Sequence, residues 1–257
     1  MQPGDPSPTQ PQEVRAWAKL TLSLRVVGVR ADGMHLIDAE MVSLDLADTL
    51  IFSAGDGLTV EGATTGPVVS PGEDNLVRRA LARVGRRASV HLVKRIPAGG
   101  GLGGGSADAA AVLRWAGVDD PAVAVSLGAD VTFCLAGGRA RVTGVGEEVH
   151  PLPHRDATYT LGLAPFGCST AAVYAAWDDM GGPAGPGPND LETAAVRVEP
   201  RLARWRDRLG QASGETPVLA GSGSTWFVPG SHPGPDHLVV RTASSVLAQN
   251  EPSRRTV

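Results

Sequence analysis

Residues 95–117 read R-I-P-A-G-G-G-L-G-G-G-S-A-D-A-A-A-V-L-R-W-A-G. Six glycines leave the main-chain amides bare, so an anion can approach the backbone closely. The stretch S-V-H-L-V-K-R-I just upstream reads as a strand, and Ser106 and Asp108 stand where a helix should begin, with Gly117 where it should stop. A glycine ribbon between a strand and a helix N-terminus is a cradle for phosphate, because the helix end adds partial positive charge. As a purely structural turn, the same ribbon would cost conformational entropy and pack nothing.

Other glycine motifs fit less well. Gly99, Gly101 and Gly104 satisfy the spacing G-x-G-x-x-G, but a dinucleotide-binding first strand is buried on both faces and nearly all apolar. The strand here carries His91, Lys94 and Arg95. No G-K-[S/T] closes the loop as a P-loop requires, and the H-R-D and D-F-G set of protein kinases is not present as a set.

Working outward, Ala16, Ala18, Leu20, Leu22, Leu24 and Val26 alternate with Trp17, Lys19, Thr21, Ser23 and Arg25, which predicts a half-buried strand. The turn R-A-D-G at Arg30 leads to a second extended segment over residues 35–46, and D-T-L-I-F after Ala47 reads as a third. A helix is expected from Glu73, with acids at its start and arginines toward its end. From about Arg139 a second set of elements is expected. The domain reading is a disordered tail over 1–14, an N-terminal lobe over 15–145, a C-terminal lobe over 146–245 and a polar tail over 246–257.

A net charge of −4 argues against a nucleic-acid or anionic-membrane surface, since such binding relies on clustered positive charge. Cys134 and Cys168 form no C-x-x-C pair, so neither zinc nor a redox motif is signalled. The polar, proline-rich start has no apolar signal core, and no later run is apolar enough to span a bilayer. A cytoplasmic protein is the expectation. Lys19 and Lys94 are the only lysines among 23 basic residues, and a lysine retained against such a preference for arginine marks a place that needs a compact ammonium.

Six patches, taken in order, resemble the GHMP superfamily of small-molecule kinases: A-K-L-T-L at Ala18, A-D-G-M-H at Ala31, the glycine ribbon at Pro97, L-G-A-D-V at Leu127, N-D-L-E at Asn189 and G-S-G-S-T at Gly221. Within that superfamily, the D-G-x-H patch is similar to the branch acting on a cytidine diphosphate derivative in isoprenoid-precursor synthesis. The resemblance implies a two-lobed α+β fold with the active site in the cleft between lobes. It further implies ATP held on Pro97, Ala98, Gly99, Gly100, Gly101 and Leu102, continuing through Gly103, Gly104, Gly105, Ser106 and Ala107. Lys19 and Asp130 match the catalytic lysine and aspartate. Thr21, Met34, His35, Gly221, Ser222 and Gly223 match positions at the substrate. Mg2+ should bridge the phosphates, with Ser106 as a ligand, and a monomer or weak homodimer acting on a small molecule is expected.

Physical chemistry fits these roles: a carboxylate can take the proton of a hydroxyl as it attacks phosphorus, and an ammonium can offset charge on the transferred group. Taken singly, Asp130 reads as a helix cap, Lys19 as a solvated strand residue and His35 as a structural histidine. Asn189 and Asp190 read as helix caps after a proline-rich loop. Four places depart from the branch's pattern: Thr21 stands for asparagine, Met34 for a tyrosine that stacks on cytosine, Thr132 for proline, and the stretch Gly185 to Pro188 for an aromatic that some members carry shortly before N-D-L-E. A different alcohol acceptor, or a nucleotide-binding protein without turnover, are the alternatives.

Overall fold

The computed structural model describes residues 10–62, 68–185 and 187–244. The chain starts with two long antiparallel strands, β1 (Gln12–Val29) and β2 (His35–Ser53). The expected turn joins them: the Gly33 amide donates to Arg30 O at 2.9 Å and the Arg30 amide to Met34 O at 2.8 Å. Three register shifts along the pair, the first between Trp17 and Lys19, let strands of this length stay paired while they coil.

Two readings change here. Residues 35–46 and the D-T-L-I-F segment form one strand, because β2 serves two neighbours in succession. Its first half pairs with β5 (Arg139–Thr143) and its second half with β4 (Ser89–Val93). Strand β1 also starts earlier than expected, since Gln12, Glu13 and Val14 find partners in Phe52, Ile51 and Leu50. The expected tail over 1–14 is therefore strand at its C-terminal end; residues 1–9 and the tail over 246–257 lie outside the described residues.

Strand β3 (Gly57–Glu61) runs parallel to β4, and β6 (Glu148–Leu152) pairs with β5, completing a six-stranded sheet. The boundary expected at 145 thus falls between two strands of one sheet, and the residues after Arg139 at first extend the N-terminal lobe. Of the four helices of this lobe, α2 (Gly104–Trp115) and α4 (Ala129–Ala136) lie on the sheet, and α1 (Leu76–Arg83) and α3 (Pro121–Leu127) pack against them.

Helix α1 begins three residues after Glu73, because the Asn75 side chain accepts from the Val77 amide at 2.9 Å and so defines the cap. Helix α2 begins two residues before Ser106, with left-handed Gly103 as its cap residue. Ala107, Ala109, Ala110 and Ala111 are fully buried. Such small side chains allow α2 to lie close against β1, and Leu20, Leu50, Phe52, Leu92, Leu113 and Phe133 fill the space around them. Each of these larger side chains contributes about 1.5–3 kcal/mol through burial.

The C-terminal lobe is a four-stranded antiparallel sheet in the order β10-β7-β9-β8. Its strands are β7 (Thr158–Gly162), β8 (Val218–Leu219), β9 (Trp226–Pro229) and β10 (His237–Arg241). Its helices are α5 (Thr170–Asp179), α6 (Glu192–Val198) and α7 (Arg201–Ser213).

Asn189 and Asp190 tie the lobes together; Leu191 occupies the cap position of α6. Leu24 exchanges main-chain bonds with this segment, donating to Pro188 O and accepting from the Asp190 amide, both at 2.9 Å. The Asp190 carboxylate accepts from Arg25 Nη1 at 2.6 Å, the Val26 amide at 3.0 Å and the Gly185 amide at 2.8 Å. Burial pushes its pKa up, but the Gly185 amide, Arg25 and the Val26 amide outweigh it and hold the carboxyl below its ordinary value.

Candidate active site

The glycine ribbon lies between β1 and the C-terminal glycine motif, and each side leaves it almost no room. A Cβ on Gly101 would stand 2.4 Å from Ala220 O, and one on Gly103 would stand 2.7 Å from Lys19 Cγ. Both glycines have positive φ, 76° and 69°, where side chains are disfavoured. Main-chain bonds complete the seat. The Lys19 amide donates to Leu102 O at 3.0 Å, and the Thr225 amide donates to Gly100 O at 3.2 Å.

Above the ribbon opens a cleft of about 960 Å³, large enough for a nucleotide and a second small molecule. Pro97 through Ser106 line it; Ala107 does not, being buried in the packed face of α2. Gly221 and Ser222 line the cleft, whereas Gly223 lies beneath it with its carbonyl against Gly101.

Lys19 and Asp130, far apart in sequence, meet at the cleft. Lys19 Nζ stands 3.3 Å from Asp130 Oδ2, the lysine side chain 6% exposed and the aspartate 38%. The asymmetry matters: one carboxylate oxygen can face a ligand while the ammonium stays fixed from behind. Lys19 Nζ also donates to Thr21 Oγ1 at 3.1 Å. The alternation that predicted a half-buried strand fails at these two residues, both of which are buried, because the polar face of β1 floors the cleft. Asp130 sits in the first turn of α4 after Gly128, which holds the cap position.

His35, at the start of β2, crosses to α5. Its Nε2 is 2.8 Å from Asp178 Oδ1, and its ring lies 4.5 Å from the Tyr174 ring and 5.7 Å from that of Trp177. Burial, reinforced by the charge of Asp130, pushes the Tyr174 phenol above its ordinary pKa. Met34 is 47% exposed at the rim of the cleft. Thr170 Oγ1 is 2.8 Å from Ser222 Oγ, which joins α5 to the glycine motif. Sequence reading passed over α5, although Thr170, Tyr174 and Asp178 are four residues apart and must share one helix face.

Asn189 was also underread: it is buried, and its amide donates to Leu219 O at 2.8 Å and Gly221 O at 2.7 Å, bracing the glycine motif. The tripeptide H-R-D does occur in the chain, at His154, Arg155 and Asp156. It lies between β6 and β7, where His154 Nε2 bonds Asp156 Oδ1 at 3.0 Å, and does not line the cleft.

No group of three or more His, Cys, Asp or Glu side chains gathers as a metal site among the described residues. A magnesium ion, being hard and strongly hydrated, is often held chiefly by nucleotide phosphates with only one or two protein oxygens. Ser106, in the first turn of α2 and on the cleft wall, is a hydroxyl suited to join it.

Residues 75–118, which span α1, β4, the glycine ribbon and α2, match the GHMP kinases N terminal domain. The class defined by this arrangement is that of the GHMP kinases. A 4-diphosphocytidyl-2-C-methyl-D-erythritol kinase from Paracoccus denitrificans (strain Pd 1222) is 39% identical over 230 residues, covering 82% of this chain and 84% of that protein. One from Nitrosomonas europaea is 36% identical over 235 residues, with coverages of 82% and 84%. A crystal structure of 4-(cytidine 5'-diphospho)-2C-methyl-D-erythritol kinase superposes with a TM-score of 0.71 at 32% identity, over 91% of this chain and all of that one. The chain belongs to the 4-diphosphocytidyl-2-C-methyl-D-erythritol kinase family of GHMP kinases.

Proposed function

We propose that this chain transfers the γ-phosphoryl group of ATP to the 2-hydroxyl of 4-diphosphocytidyl-2-C-methyl-D-erythritol, a step of non-mevalonate isoprenoid-precursor synthesis. The observation that carries the reading is the Lys19–Asp130 pair standing at 3.3 Å in the same cleft as the glycine ribbon. A phosphate cradle and a base lie in one enclosure, as phosphoryl transfer requires.

In this reading the ribbon amides and the N-terminus of α2 bind the phosphates. Asp130 accepts the proton of the acceptor hydroxyl as its oxygen closes on phosphorus, and the bond from the γ-phosphorus to the bridging oxygen breaks to leave ADP. Lys19, fixed by Thr21 and Asp130, offsets negative charge on the moving phosphoryl group. Magnesium, when bound, neutralises phosphate charge, and Ser106 is the side chain that would contact it.

Recognition of the cytosine is assigned to Met34, His35 and Tyr174. Tyr174 offers an aromatic face beside His35, so a flat partner for the base comes from α5 while Met34 supplies a polarisable thioether at the rim. Thr21, Gly221 and Ser222 would border the acceptor, with Gly223 acting from below.

A cytoplasmic setting fits the two free cysteines, Cys134 and Cys168, and no helix among the described residues is long and apolar enough to cross a membrane. We take the chain to act as a monomer or weak homodimer. The deciding experiment supplies ATP, Mg2+ and the diphosphocytidyl alcohol and follows ADP release. Turnover with a phosphorylated 2-hydroxyl as product supports the assignment; turnover only with a different alcohol, or nucleotide binding without turnover, defeats it.

A further inference from the structure

Lys94 is the second of the chain's two lysines, and the mechanism above leaves it without a role. Its side chain is 3% exposed, and its ammonium donates to two carboxylates, Asp48 Oδ2 and, at 2.7 Å, Asp108 Oδ2. The two aspartates belong to the two ends of the glycine ribbon. Asp48, from the middle of β2 and fully buried, turns its other oxygen to the amides of Arg95 and Ile96, the latter at 2.8 Å. Those are the last two residues before the ribbon, just past the end of β4 at Val93. Asp108 lies in α2, at the opposite end.

Lys94 therefore spans the base of the loop. A Cβ on Gly104 would stand 3.2 Å from Lys94 Nζ, so the ammonium occupies the space that any side chain at the first residue of α2 would need. Neither end of the ribbon can move without breaking a charge-assisted bond in a buried site, where such bonds are strongest and their loss is most costly. An arginine could not replace it, because the planar fork is longer and broader than an ammonium confined between two carboxylates and a glycine Cα. This explains why lysine persists at 94 in a chain that otherwise chooses arginine.

We propose that Lys94, clamped between Asp48 and Asp108, is a positioning residue that sets the spacing of the glycine ribbon for its nucleotide. The inference rests on the assignment of the ribbon to ATP phosphates. Lys94 and Asp108 also reach the cleft wall, and the role given to Lys94 is to hold the ribbon's spacing, so its effect should fall on the nucleotide side of the reaction.

The test compares wild type with Asp108→Leu and Asp108→Asn, measuring KM for ATP and for the alcohol separately, kcat, and circular dichroism. Asp108→Leu should raise the ATP KM about tenfold or more, the effect of losing one buried charge-assisted bond, while the alcohol KM and kcat change by less than about threefold. Asp108→Asn keeps an acceptor for Lys94 and should recover most of the ATP affinity. Should Asp108→Leu fail to fold, Lys94→Arg decides instead, with the same split between the two KM values expected.

A folded Asp108→Leu or Lys94→Arg enzyme with the wild-type ATP KM overturns the proposal, as does equal weakening of both substrates. If the wild-type chain itself fails to bind an ATP analogue, the assignment of the ribbon falls, and this inference falls with it.

Discussion

Gly103 and Lys19 meet with no space between them: one added carbon on the glycine would lie 2.7 Å from the lysine Cγ and 3.2 Å from its Cε. The glycine ribbon and the lysine side chain are thus packed as one object. Gly103→Ala would force the left-handed residue to carry a side chain, at a cost of about 1–2 kcal/mol, and would push Lys19 off Asp130. We expect kcat/KM to fall by at least about 100-fold, in line with the sensitivity of phosphoryl transfer to small displacements. Steady-state kinetics beside thermal unfolding would separate the two effects, and wild-type kcat/KM in the variant would contradict the packing argument.

Asp130→Asn keeps the shape of the side chain and removes its capacity to take a proton. A drop in kcat of roughly 10²–10⁴-fold is expected, with ATP affinity little changed if, as proposed, Asp130 serves the acceptor hydroxyl. Single-turnover measurements at saturating ATP check this, and a kcat within about threefold of wild type would exclude general-base catalysis by this residue.

The α5 face can be tested by its aromatic ring. Tyr174→Ala should raise KM for the cytidine substrate about tenfold, since base stacking is worth about 1–3 kcal/mol, and leave KM for ATP unchanged. Met34→Tyr, at an exposed rim position, should act in the opposite sense by adding a second flat surface. Unchanged substrate KM in both variants would move the base elsewhere in the cleft.

Asp190 carries an acid dependence. Its folded pKa lies below the ordinary carboxylate value, so its contribution to stability is fully present above the unfolded pKa and is lost as pH falls through the folded one. Asp190→Asn should destabilise the protein at neutral pH by about 1–3 kcal/mol, the range for a buried charged hydrogen-bond acceptor. The difference from wild type should shrink in acid. Urea unfolding of both proteins at pH values of about 7 and about 3, on either side of the ordinary carboxylate pKa, gives the comparison; a gap that widens in acid would contradict the sign.

The position of the ribbon between a strand and a helix was legible because glycine density is itself a local signal, and that Lys19 and Asp130 share a cleft with it was expected from their neighbours in the ordered patches. The Lys94 clamp was not, because Asp48 and Asp108 neutralise it from 46 and 14 residues away, and no local pattern records such a pairing. The extent of the first lobe was misread for a similar reason. Strands β5 and β6 look like the start of something new until β5 is seen against β2. Thr170, Tyr174 and Asp178 were readable in principle from their four-residue spacing, but the partners that give them meaning, the cleft for Thr170 and Tyr174 and His35 for Asp178, involve the start of the chain.

The rarity of lysine gives the protein an unusual chemical handle. Its only two ε-amines are Lys19 and Lys94, each about 5% accessible and each beside the ribbon. An acylating reagent directed at side-chain amines therefore has no bulk surface to modify. Whatever labelling it achieves reports on the opening of one small region, and a bound nucleotide should shield both sites together.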